Sequence, residues 1–381
     1  MTLRVNLSYY NREHKRLLTS TQPYASIGTA AKVSFFNAHS TISKADFYSY
    51  LLIHRQALSG YKSYDERRTK IDKAEGWISD IVTSNASTLQ LAQAGYRDAA
   101  AAERIGESVG LSVISRLHGM TNADWTRLDT LPGVNGFKTF DFQIGSDGIR
   151  IIQVETKGSF VDDCTTKPST VSQHAGNIDQ KKKELAGHLN HPQPSSVRYG
   201  TITAIDSQND TKCWLLDPPA EDLQINPFDL RIAKRLGFTA KAIAAIAPQA
   251  TLPDIIAKRI NQMLRRGTKS FDGDTLETDA GTPFSSKSYV ERFLSKDKIF
   301  FEELDIVGKI VQISPEIPLF IGIKGDLARS AINQDLQEIS RLSFNQSDLG
   351  IREISTNNAS PERIPMKFQT SSGGFIVGSP V

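Results

Sequence analysis

The chain has 381 residues, with 45 Lys plus Arg against 42 Asp plus Glu for a net charge of +3, and 39% apolar and 23% charged residues. Such a balance excludes a polyelectrolyte and a wholly disordered chain, and at about 150 residues per domain the length suggests two or three folded units. The longest apolar run, Ala242 to Ala247, falls far short of the roughly 18 residues that span a bilayer, no secretory h-region follows Met1, and Cys164 and Cys213 lack CxxC spacing, so a membrane partner, a zinc module and a disulfide framework are not expected and a cytoplasmic location is.

Residues 1–88 read as a mostly helical leader with an alternating start at Leu3, Val5 and Leu7. Within it Ile71, Ala74, Trp77, Ile78 and Ile81 recur at three- and four-residue steps, which predicts an amphipathic helix. From about Ser84 an Ala-rich helical stretch runs to Leu117 and is closed by Gly119. The period then switches to two: residues 137–144 and 149–157 are β-prone and flank Gly145-Ser146-Asp147-Gly148, so a β-hairpin is predicted. A helix around 177–189, a break at Pro192 and Pro194, and a strand over 197–205 follow. Residues 89–218 therefore form a middle domain in the order helix, strand, strand, helix, strand.

The third region, 219–381, opens on a basic helical segment: residues 226–270 hold nine Lys or Arg against Asp229 and Asp254, and an acidic stretch follows. Strands over 309–314 and 319–324, a helix over 327–342 and a loosely ordered tail from Ser355 complete the prediction. The expected fold class is α/β (α+β), a mixed sheet flanked by helices.

Chemistry concentrates in the hairpin. Successive strand residues face opposite ways, so Phe140, Phe142, Ile144, Ile152 and Val154 predict a core face, while Asp141, Gln143, Gln153, Glu155 and Lys157 predict a polar one. A three-residue loop Asp147-Gly148-Ile149 would set Asp141 directly opposite Glu155, whereas a two-residue turn would send them to opposite faces. Two carboxylates side by side repel unless a cation sits between them, and Mg²⁺ suits a few carboxylate oxygens plus water and phosphate oxygens. Lys157 on the same face could hold or deprotonate an attacking water.

Asp141 and the run Gln153-Val154-Glu155-Thr156-Lys157-Gly158 resemble the PD-(D/E)xK nuclease superfamily, and the element order of residues 90–206 is similar to that family's core, with Phe140 where the family name has proline. The resemblance implies a restriction-endonuclease-like core. It also implies a metal ion, Mg²⁺ with Mn²⁺ able to substitute, bound by Asp141, Glu155 and the Thr156 carbonyl, with Lys157 beside the nucleophilic water. Glu107 or Glu103 on the preceding helix could add a further acid. The activity implied is hydrolysis of DNA phosphodiester bonds, with duplex DNA the favoured partner, a restriction or defence role by analogy, and a homodimer convenient for cutting two strands. The alternative is a non-catalytic nucleic-acid-binding or assembly subunit that keeps the fold.

Other signals weigh less. Gly106-Glu107-Ser108-Val109-Gly110 matches the GxSxG elbow of serine hydrolases, but a helical run rather than a strand precedes Ser108, so small residues for close helix packing explain it better. His188 and His191 fit a helix C-terminus better than a metal site. Gln173, His174 and the lysines Lys181 and Lys182 follow the ExK strand and are candidates for phosphate contact, as are Lys258, Arg259, Arg265 and Arg266 of the basic segment, for which pairing with the acidic stretch is the competing reading. No GxxxxGK[ST] loop is present, which argues against ATP-driven movement along DNA.

Overall fold

The computed structural model describes residues 2–19, 39–54, 89–91, 95, 98–127, 142–186, 197–216, 226–248, 250–278, 280–290, 299–314, 317–345, 348–355 and 363–381. Two sheets carry the architecture. The first joins β1 (Thr2–Tyr9), β2 (His39–Ser43), β3 (Trp125–Arg127), β4 (Phe142–Ser146), β5 (Ile151–Phe160), β6 (Val197–Ile205) and β7 (Lys212–Leu216) in the order β2-β1-β7-β6-β5-β4-β3. It is mixed: β5 runs parallel to β6 and β1 parallel to β7, and the remaining pairs are antiparallel. The alternation at Leu3, Val5 and Leu7 is buried inside this sheet, because β1 sits between β2 and β7. The described part of the leader is thus built into the central sheet and is not a separate helical unit. The amphipathic helix predicted near residues 71–81 lies outside the described residues.

Helix α1 (Arg12–Thr19) follows β1, and α2 (Lys44–Ser49) follows β2, its first turn capped by Ser43 Oγ accepting from Asp46 N at 2.9 Å, with a π-helical turn (Tyr50–His54) after it. Helix α3 (Ala99–His118) starts where Asp98 accepts hydrogen bonds from Ala100 N and Ala101 N, and it ends at Gly119 with φ of +61°. It is shorter than the predicted stretch from Ser84, because residues 89–91 are not helical and the Asp98 cap sets the start. Helix α4 (Ser169–Ala186) connects β5 to β6 on the other face of the sheet.

Glycines set how closely α3 lies on the sheet. A methyl group on Gly106 would come within 2.6 Å of Gly158 Cα in β5, and one on Gly110 within 2.3 Å of Thr201 Oγ1 in β6. The GxSxG string is therefore a helix-packing surface: Ser108 lies mid-helix and its hydroxyl donates to the Arg104 carbonyl.

Helices α5 (Pro227–Ile246) and α6 (Leu252–Arg266) bridge to the second sheet, which holds β8 (Ile299–Phe301), β9 (Ile306–Ser314), β10 (Ile317–Lys324), β11 (Asp348–Ser355), β12 (Arg363–Thr370) and β13 (Phe375–Pro380) in the order β11-β12-β13-β10-β9-β8, wholly antiparallel. The predicted helix over 327–342 is two helices, α7 (Gly325–Asn333) and α8 (Leu336–Arg341), parted at Gln334 with φ of +52°. The tail expected to be loose forms β12 and β13 from residue 363 onward, where Met366, Phe368, Phe375 and Ile376 are buried. One core cluster runs from Leu3 through α3 and α5 to Val377, so the divisions drawn at residues 88 and 218 do not separate independent cores.

Four cations of the basic segment belong to this packing. Arg235 holds Asp124 with Nε to Oδ1 at 2.7 Å and Nη2 to Oδ2 at 3.1 Å, and its Nη1 donates to the Ile339 and Leu342 carbonyls at 2.7 Å. Arg231 adds a 3.3 Å contact to Asp124 and donates to the Asp147 carbonyl, buried Lys241 donates to the His54 carbonyl at 2.6 Å, and Lys234 is largely covered. Burial pushes the Asp124 carboxyl up, but Arg235, Arg231 and the Thr121 backbone outweigh it and hold it below the ordinary carboxylate range.

Candidate functional site

Strand β5 presents Gln153, Glu155, Lys157 and Ser159 on one face and Val154, Thr156 and Gly158 on the other. The second face meets α3, since Thr156 lies under Gly110 and Gly158 under Gly106. The first face meets α4. The residue beside Glu155 on β6 is Gly200, and a Cβ there would come within 3.0 Å of Ile178 Cγ2 in α4. The missing side chain lets α4 approach, and Lys181, about one turn beyond Ile178, reaches Glu155 as a result.

Glu155 is fully buried. Its Oε1 receives Lys157 Nζ and Lys181 Nζ, both at 2.7 Å, while its Oε2 has no hydrogen-bond partner among the described residues. Desolvating one carboxylate costs several kcal/mol and is tolerated when paired; here two ammonium groups sit on one oxygen, both with partly exposed side chains (21% and 28%). The cluster carries one net positive charge. His174 of α4 lies beside it, its Nε2 2.8 Å from Ser159 Oγ, and burial together with the Lys157 charge lowers the imidazole pKa against an opposing pull from Glu155. At neutral pH His174 is an uncharged donor or acceptor. Ser159 continues the period-two pattern of Glu155 and Lys157, a position the ExK spacing alone does not single out. Beneath Glu155 on the same face, Arg198 Nε donates to Gln153 Oε1 at 2.9 Å, both residues being fully buried.

The hairpin register differs from the one that would pair Asp141 with Glu155. Ser146 pairs with Ile151, leaving a four-residue connection 147–150, so Glu155 stands opposite Phe142 and Val154 opposite Gln143. Asp147 sets the loop length: its Oδ1 accepts from Ile149 N at 2.8 Å and Arg150 N at 2.6 Å, and Gly148 takes φ of +91°. One residue more than the three-residue loop inverts side-chain parity across the hairpin. Gln143 consequently shares the α3 side with Val154, and the polar face predicted jointly for both strands is divided between the two sides of the sheet. Asp141 itself lies outside the described residues.

Glu107 is on the α3 side as well. It is buried, accepts from Gln143 Nε2, and lies 3.5 Å from His54 Nε2 and 3.8 Å from Arg104 Nη1, while His54 Nε2 and Gln143 Oε1 are 2.7 Å apart. The fold does not gather Glu107 with Glu155 on one face of β5. Thr156 projects its side chain toward α3. Gln173 is exposed on α4, and of Lys182 only its place in that helix is described. Lys258, Arg265 and Arg266 are exposed on α6, whereas Arg259 pairs with Asp274 at 2.8 Å, the charge pairing with the acidic stretch expected as the competing reading. His188 and His191 lie outside the described residues.

Among the described residues no group of three or more His, Cys, Asp or Glu side chains is placed to hold a metal ion, and no helix is long and apolar enough to cross a membrane. Cys164 and Cys213 are buried free thiols, pushed up to about 12 mainly by burial and so inert at neutral pH. Comparison with protein-family models, curated proteins and solved structures finds no match for the chain.

Proposed function

We propose that the chain is a metal-dependent nuclease acting on DNA, with Glu155 and Lys157 as its catalytic pair. The observation that carries this reading is the Glu155 carboxylate: it is fully buried on a central strand, one oxygen is held by two lysines, and the other oxygen lacks any described partner. An orphaned buried acceptor suits a hard cation, and Mg²⁺ is commonly held by one or two carboxylates, leaving its other positions to water and phosphate oxygens. The residues that would hold it are Glu155 through Oε2 and the Thr156 carbonyl, since the hairpin register does not set Asp141 opposite Glu155. When bound, the ion would supply Lewis-acid polarisation of the phosphate and a more acidic water. Lys157 positions that water or takes its proton, Lys181 neutralises charge that grows on the phosphate oxygens, and neutral His174 can hydrogen-bond a phosphate oxygen or the leaving group. The order α3, β3, β4, β5, α4, β6 supports the same resemblance on which the sequence reading rests.

The test is a cleavage panel over plasmid, linear duplex, single-stranded DNA and RNA with Mg²⁺, Mn²⁺ or chelator. Wild type should cut in a metal-dependent way, and Glu155→Gln and Lys157→Met should each lower the rate at least about a hundredfold while leaving the circular-dichroism spectrum unchanged. Absence of metal-dependent cleavage of every form by wild type refutes the proposal. It would favour the second reading, a non-catalytic nucleic-acid-binding subunit, for which the observations are the net positive charge of the Glu155, Lys157 and Lys181 cluster and the pairing of Glu155 with Phe142 across the hairpin.

A further inference from the structure

A groove of about 590 Å³ lies at the end of the central sheet where β1 passes into α1, lined by Tyr9, Tyr10, Arg12, Lys15, Lys167 and Trp214, among others. Its composition is unusual for a surface depression: three aromatic rings and three cations, with no carboxylate among the lining residues described. Lys167 from the loop before α4 stands 4.7 Å from the Tyr10 ring centroid and 5.4 Å from that of Trp214. Lys212 covers Trp214 at 4.2 Å and Lys15 lies 5.8 Å from the Tyr9 ring. The cations are thus held at the rings by cation–π contact, with Arg12, Lys15 and Lys167 themselves exposed. Trp214 is 5% exposed, and its indole Nε1 is buried without an acceptor among the described residues. Exposed cations on a lining with no carboxylate match an anionic ligand.

The groove lies on the same side of the sheet as the Glu155 cluster, with buried Ile202, packed against α4, between them. Lys157 pairs with Ile202 and Ile202 with Trp214 in successive strands, so Lys157 and Trp214 project from the same face about 10 Å apart, two strand spacings. We infer that this groove binds unpaired nucleotides of a single-stranded nucleic-acid segment, with the partly exposed Tyr9 and Tyr10 as the aromatic platform above the buried Trp214, and Arg12, Lys15 and Lys167 taking the phosphates. Single-strand binding combines basic tracks with aromatic rings that accept any base, because only an unpaired base offers its face. A duplex would leave the rings unused. The inference deepens the proposed function by naming the form of the substrate, and it rests on that reading only for the connection to Glu155.

The test separates binding from cleavage by working in chelator. Fluorescence anisotropy of labelled 20-nucleotide dT and dA strands and of a 20-base-pair duplex is measured with wild type, Tyr10→Leu, the double variant Lys15→Ala/Lys167→Ala, and the exposed Lys287→Ala as a control. Wild type should prefer single strands. The double lysine variant should weaken single-strand binding at least tenfold and flatten the slope of log K against log salt by about 1.4, at roughly 0.7 per phosphate contact. Tyr10→Leu, which retains apolar packing without the ring, should raise Kd at least fivefold with the salt slope intact, and Lys287→Ala should bind as wild type. Thermal melts within a few degrees of wild type confirm folding. Equal affinity for duplex and single strands, no binding by wild type, or binding untouched by both groove variants overturns the inference. If single-strand binding holds while no metal-dependent cleavage is found, the nuclease reading alone fails.

Discussion

Gly158 follows Lys157 in β5 and lies against α3, and replacing it with alanine tests the packing that places the candidate site. A Cβ there would lie 1.7 Å from the Ala102 carbonyl oxygen and 3.1 Å from Gly106 Cα. Ordinary contact begins near 3.4 Å, so strand and helix must part by about 1.7 Å, and both close neighbours are backbone with no rotamer to yield. A gap of about 0.5–1 Å already forfeits roughly a quarter to a half of a van der Waals contact, and the residues of α3 that would lose contact, Ala101, Ala102, Ile105 and Val109, are almost wholly buried. The expected cost is on the order of 3 kcal/mol, the upper part of the range for overpacking. Urea denaturation followed by circular dichroism should show a lower midpoint with an unchanged slope. Because Gly106 and Gly158 face each other, Gly106→Ala should also destabilise, and the double variant should cost less than the two single changes together, since the first separation makes room for the second methyl. A Gly158→Ala midpoint indistinguishable from wild type would refute the reasoning.

Gly176, in the interior of α4 with nothing within 4 Å of a would-be Cβ, is the contrasting case: Gly176→Ala should stabilise by about 0.5–1 kcal/mol, read from the same denaturation curves. Arg235→Ala leaves the Asp124 carboxylate buried with the weaker Arg231 contact alone and should cost about 3–5 kcal/mol, seen as a large drop in melting temperature. The folded-state pKa of Asp124 is depressed, so its stabilisation is fully present above the ordinary carboxylate value of about 3.9 and is lost as pH falls through the lower folded value. In Asp124→Asn the acid limb of stability against pH should be shallower than in wild type. His174 should titrate below about 6.5 in an NMR pH series, as its lowered pKa requires, and Lys157→Met should move that titration upward by removing a like charge.

Local periodicity made much of the local structure legible. The strand over 197–205, the helix end at Gly119, the shared face of Gln153, Glu155 and Lys157, and the buried alternation of Leu3, Val5 and Leu7 all follow from spacing within a few residues, because side-chain direction repeats every two residues in a strand and every 3.6 in a helix. The Glu155–Lys157 half of the site was readable for the same reason. Long-range pairing was not. Whether Glu155 faces Asp141 or Phe142 depended on a single residue of loop, settled by the Asp147 carboxylate capping two backbone donors. Lys181 joined Glu155 because Gly200, far away in sequence, lets α4 settle onto the sheet, and Arg231, Arg235 and Lys241, indistinguishable in composition from a phosphate-binding run, became internal staples because their partners Asp124, Asp147 and His54 come from other elements. The sequence by itself determined which residues share a face within each element; the tertiary structure decided which faces meet, since a charge or a strand edge acquires its meaning only from the partner that folding brings to it.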